Sequence, residues 1–97
     1  MIQILLFERG FLMKQFTYTI KDENGIHARP AGLLAKEAQK FTSVINLTAN
    51  DRSVSIRKLL ALMGMGVKQG DEIMITAEGA DENEAIAILE AFMKKNL

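Results

Sequence analysis

The stretch Gly25-Ile26-His27-Ala28-Arg29-Pro30-Ala31 decides how the chain is read, because it marks where a loop becomes a helix. Pro30 fits only in the first turn of a helix, where its missing N–H has no intrahelical acceptor to lose. Beyond it, Ala31, Leu34, Ala35, Ala38 and Phe41 recur on one helical face, with Lys36, Glu37, Gln39 and Lys40 outside that face. The helix therefore starts close to His27.

Working outward, Phe16, Tyr18 and Ile20 alternate with Thr17 and Thr19, the period of a half-buried strand. Lys21 to Gly25 is a polar loop joining that strand to the helix. On the other side, Ile45, Leu47 and Ala49 alternate again, and Asn50-Asp51 turns into a short strand around Val54. Ser55 is placed to cap a second, shorter helix carrying Leu59, Leu60 and Met63, ended by Gly64 and Gly66. Of those three apolar residues, Leu60 is assigned to the core. Gly70-Asp71 turns into a strand with Ile73, Ile75 and Ala77 inward. Asp81 and Glu84 read as an acidic capping box opening a last helix, with Ile86, Leu89, Phe92 and Met93 on its buried side. The order βαββαβα gives an α+β domain, an antiparallel sheet with one polar face and helices packed on the other.

The bulk composition narrows the function. The chain has 97 residues, enough for one domain with one core. Twelve basic residues balance twelve acidic ones, so no net field draws the chain onto nucleic acid or an anionic membrane. There is no cysteine, which removes disulfides, thiol catalysis and thiolate metal sites together. A single histidine argues against a zinc site, and no metal or other cofactor is expected. No run approaches the ~20 apolar residues that span a bilayer, and no targeting segment is recognisable. The expected location is the cytoplasm.

The chemistry concentrates at His27. The positive end of a helix dipole disfavours a cationic ring there and leaves a neutral, nucleophilic imidazole. Free N–H groups of the first turn can bind an anion carried on the ring. Arg29 can add charge-assisted bonds to phosphate oxygens through its planar guanidinium. Taken alone, a histidine at a helix start is more often a plain cap or a surface residue, and Arg29 is usually a solvated charge. A self-contained hydrolase would need a second catalytic group, and only Asp22 and Glu23 lie close in sequence. A small ligand-binding or regulatory module is the other alternative, although it has no evident use for His27 beside Arg29.

The same seven residues resemble the active-site signature of HPr, the histidine-containing phosphocarrier family of the sugar phosphotransferase system. The resemblance runs from about Met13 to the C-terminus. It takes in the element order, the spacing to the Met63–Gly66 region, the Gly70 turn, and Gly79-Ala80-Asp81-Glu82 before the last helix. It implies an open-faced β-sandwich of four antiparallel strands covered on one side by three helices. It further implies a carrier and not an enzyme in its own right. Enzyme I, charged by phosphoenolpyruvate, would donate a phosphoryl group to Nδ1 of His27, and IIA components would accept it. Arg29 would steady the phosphate. A paralogue serving a nitrogen-type or regulatory relay would carry the same motif.

For docking, the resemblance points to Leu59, Leu60 and Met63 on the short helix, ringed by Arg29, Lys36, Arg57 and Lys58. Such a patch suits acidic partner surfaces and a monomeric carrier. In HPr proteins of many Gram-positive bacteria, the position matching Lys58 holds a serine that an ATP-dependent kinase modifies. Residues 1–12 have no counterpart in the family pattern. Glu8-Arg9-Gly10 can be encoded by GAA-AGG-GGN, which resembles a ribosome-binding site two codons before Met13. The expectation is a non-native extension over residues 1–12, its apolar residues lying against the protein or a neighbour, and a carrier domain over 13–97; the alternative for residues 1–12 is a genuine apolar strand or oligomer contact.

Overall fold

The computed structural model describes residues 13–97, and the reading of residues 1–12 lies outside them. Four strands are present: β1 (Lys14–Thr19), β2 (Val44–Ala49), β3 (Arg52–Ser55) and β4 (Glu72–Glu78). They pair antiparallel in the order β1-β4-β2-β3. Register follows from burial of alternate side chains. Phe16 faces Ile75 and Tyr18 faces Ile73, while Leu47 meets Ile75 from the other side. A slip of one residue would turn each of these apolar sets toward water. The opposite face carries Gln15, Thr17, Thr48, Met74 and Thr76, polar enough to stay uncovered.

Three helices lie on the apolar face: α1 (Ala28–Ala38), α2 (Leu59–Gly64) and α3 (Glu82–Asn96). The architecture is the α+β, βαββαβα arrangement expected. Ala31, Leu34, Ala35 and Ala38 of α1 are buried, and Phe41 packs into the same core just past the helix end. Leu89 and Met93 of α3 are fully enclosed, whereas Ile86 and Phe92 are half-buried at its margin. Asn50 and Asp51 both take left-handed backbone, φ 53° and 63°, which makes a tight hairpin turn between β2 and β3.

Three local expectations are corrected. Ser55 does not cap α2: it ends β3, and its hydroxyl accepts the Arg57 N–H, so the helix opens three residues later at Lys58. Leu60 is not core. It is 83% exposed, while Leu62 two residues on is fully buried against the sheet. A six-residue helix made almost wholly of apolar residues carries too little contrast for periodicity to choose its inward face.

The start of α3 also departs from the expected capping box. Asp81 stands at the N-cap, and its carbonyl accepts the Ala85 N–H, but its side chain makes no bond to the helix. Its carboxylate accepts instead from the Thr42 N–H, the Ser43 N–H and the Ser43 hydroxyl, across the chain. Glu82, and not Glu84, reaches back, accepting the Gly79 N–H at 3.0 Å. Gly79 lies so close to Ser43 that any side chain would meet the Ser43 backbone at 2.7 Å. The long-range clasp thus displaces a local cap.

Candidate functional site

His27 is the N-cap of α1, with extended backbone (φ −109°, ψ −177°) and no side-chain bond to the helix. Its carbonyl accepts the Ala31 N–H at 2.9 Å, which closes the first turn. Ala28 and Arg29 occupy the first two helical positions, so their N–H groups have no intrahelical acceptor and lie at the positive end of the dipole. Pro30, third in line, has no N–H at all. The helix start therefore offers two backbone donors beside the imidazole, and no acidic residue stands in the first turn to oppose an anion.

The loop before His27 is fastened on every side. The Gly25 N–H donates to the Asp22 carbonyl at 2.9 Å, and the Ile26 N–H donates to the Val67 carbonyl at 3.1 Å. Gly25 has φ +65°, and a Cβ there would press on the backbone of Val67 and Lys68, so only glycine serves. Ile26 is buried in the core. With its two predecessors anchored, His27 is held outward, its side chain 40% exposed.

An open concavity of about 250 Å³ is lined by Asp22, His27, Arg29, Pro30, Leu33 and Asn96. Arg29 is exposed and pairs with no carboxylate among the described residues, which leaves its guanidinium available to an anion on the ring. The carboxylate of Asp22 lies 3.5 Å from Nε2 of His27. An imidazole with one carboxylate neighbour, a guanidinium and two helix-start N–H groups can accept and hold a tetrahedral anion. It lacks the nucleophile–base pair of a self-contained hydrolase. Among the described residues no cluster of side chains suited to a metal ion occurs. Among the described residues, no helix is long and apolar enough to cross a membrane.

The remaining candidates divide. Leu59 and Met63, each 39% exposed, and Leu60 form an exposed apolar surface on α2. Lys58 caps that helix without a side-chain bond and is exposed. Lys36 sits in the last turn of α1, roughly 12 Å along the axis from its start, and does not line the concavity. Arg57 is occupied in a different way. Its guanidinium donates to the carbonyl of Ala38 (3.3 Å), which also accepts the Phe41 N–H, and to that of Phe41 just past the end of α1.

Leu33 and Asn96 were not singled out from sequence, and Asp22 only as a nearby acid. Asp22-Glu23-Asn24-Gly25 did carry a usable signal, that of a side-chain-closed turn. Asn96 comes from the far end of α3, so no local pattern announces it.

The family model described as the PTS HPr component phosphorylation site matches residues 14–95. The phosphocarrier protein HPr of Mycoplasma genitalium is 47% identical over 85 residues, 87% of this chain and 97% of its own length. Among solved structures, a histidine-containing phosphocarrier protein from work on mycoplasma divergence superposes with a TM-score of 0.83 at 40% identity, over 84% of this chain and 93% of that one. An HPr from Thermoanaerobacter tengcongensis gives a TM-score of 0.80 at 38% identity, covering 84% and 92%. A shared fold, an extended sequence match and a histidine held outward at a helix start agree: the chain belongs to the HPr family of phosphocarrier proteins.

Proposed function

We propose that this protein carries a phosphoryl group on His27 in the cytoplasm, accepting it from enzyme I and passing it to IIA components of the sugar phosphotransferase system. The working unit is the domain over residues 13–97, acting as a monomer. The observation that carries this reading is the placement of His27 as an uncapped, half-exposed N-cap sharing one concavity with Arg29.

In the acceptor step, the Nδ1 lone pair attacks phosphorus on the charged donor. An N–P bond forms as the donor's bond to phosphorus breaks, and the donor atom leaves with that electron pair. The step reverses onto the next acceptor. The Ala28 and Arg29 N–H groups and the Arg29 guanidinium hold the phosphate oxygens, which keeps the group from drifting into water between partners. Leu59, Leu60 and Met63 give each partner an apolar seat, with adaptable methionine suited to more than one surface. Lys58 and Lys36 contribute mainly to the rate of encounter with acidic partners. Arg57, its guanidinium bound at the end of α1 and only half-exposed, adds positive charge to the same surface.

Reconstitution with phosphoenolpyruvate, enzyme I and a IIA component tests the reading. Label is expected to appear on the protein and then on the IIA component. Arg29→Ala should slow transfer about tenfold, less than the 10²–10³ typical of a buried donor because Arg29 is exposed. Label that reaches the IIA component undiminished in the absence of this protein would overturn the proposal.

A further inference from the structure

Every backbone polar group of Lys21 and Asp22 is tied. Their N–H groups donate to the Leu97 carbonyl at 2.7 and 2.8 Å. The Lys21 carbonyl accepts from the Gln69 side chain at 3.1 Å, and the Asp22 carbonyl accepts the Gly25 N–H. The Asp22 side chain is fixed as well, because its Oδ1 accepts the Asn24 N–H at 2.8 Å. That leaves Oδ2 as the free oxygen, and Oδ2 is the atom 3.5 Å from Nε2 of His27. A surface ion pair of this kind adds little to stability. Its consequence lies in the imidazole. A carboxylate only accepts hydrogen bonds, so it favours the ring form whose proton is on Nε2.

We propose that Asp22 is a positioning residue for His27, holding the imidazole in the Nε2–H form so that Nδ1 presents a lone pair to phosphorus. The inference rests on the carrier reading given above. When Nδ1 gains phosphorus, the ring becomes electron-poor and Nε2–H a stronger donor. The contact with Oδ2 then tightens, and the proton stays on Nε2 throughout. No additional reactant is required.

The turn at Asp22 makes the test unusually selective. In Asp22→Asn the Asn24 N–H keeps the side-chain oxygen, which turns the amide N–H₂ toward Nε2 of His27. That donor needs a lone pair on Nε2, and so drives the ring proton to Nδ1, the atom that must attack. Asp22→Ala removes the carboxylate without supplying a donor. Imidazole ¹⁵N shifts, recorded with the ring neutral, report the two forms directly. The expected result is mainly Nε2–H in the native protein, a shift toward Nδ1–H in Asp22→Asn, and a mixture in Asp22→Ala. Phosphoryl acceptance should fall about tenfold or more in Asp22→Asn and less in Asp22→Ala, although the asparagine variant conserves the loop better. A merely structural role would reverse that order. Identical ¹⁵N tautomer ratios in native and Asp22→Asn proteins would overturn the proposal, whatever the transfer rates. Failure of the native protein to accept phosphate would sink the carrier reading alone, since the tautomer ratio is measured without any donor.

Discussion

At His27 the local sequence supplies nearly everything the site needs. Gly25 provides the left-handed backbone that fits beneath Val67, Ile26 fills the core, and Pro30 removes one donor while leaving those of Ala28 and Arg29. Since the imidazole makes no bond to the helix, His27→Ala should cost below about 1 kcal/mol of stability, measurable by urea unfolding. A larger loss would show the ring to be a structural cap. Lys58 is the other residue with a consequence of its own. It stands exposed at the N-cap of α2, the position where the family resemblance places a regulatory serine, and it has no hydroxyl to offer. With ATP and a Gram-positive HPr kinase, the native chain is expected to gain no acid-stable phosphate, and Lys58→Ser to gain it. Labelling of the native chain away from His27 would refute this.

The elements divide by how much their sequence contrast could tell. Strands β1, β2 and β4 were legible because apolar and polar residues alternate cleanly along them, and α1 because Pro30 fixed its start and alanines its inner face. In α2, Leu59-Leu60-Ala61-Leu62-Met63 offers almost no polar marker, so the choice of Leu60 as the core residue had nothing but packing to correct it. Substitution separates the two leucines. Leu62→Ala should destabilise by about 2–5 kcal/mol through lost burial and a cavity. Leu60→Ala should stay within about 0.5 kcal/mol while weakening capture by enzyme I. Equal stability losses would mean that α2 is rotated from the orientation described. Arg57 shows the same limit at the site: its spacing fits a docking patch, but only the packed structure reveals that the carbonyls of Ala38 and Phe41 claim its guanidinium.

Across the whole molecule, the contacts hardest to read were those between distant segments. Asp81 looks like a helix cap in sequence, yet it joins the start of α3 to Thr42 and Ser43 ahead of β2. The Ser43 hydroxyl, followed by the Thr42 N–H, holds the Asp81 carboxyl down from 3.8 to about 2. A lowered folded value means stability that is present above the unfolded value and lost as pH falls through the folded one. Asp81→Asn should therefore melt below the native protein near neutral pH, with the gap closing between about pH 4 and pH 2. A gap that persists at pH 2 would contradict the assignment. The same long-range closure brings the end of α3 against the loop before α1, so that Leu97 and Asn96 complete surroundings begun by Asp22 and His27. On the proposed reading, that convergence serves one acceptor atom on one side chain. The most direct test is intact mass, with residue mapping, after incubation with phosphoenolpyruvate and enzyme I. The expected product is one phosphoryl group per chain, acid-labile, mapped to His27 and absent from His27→Ala; a native chain that gains no phosphoryl group, or a His27→Ala chain that still gains one, would contradict the account.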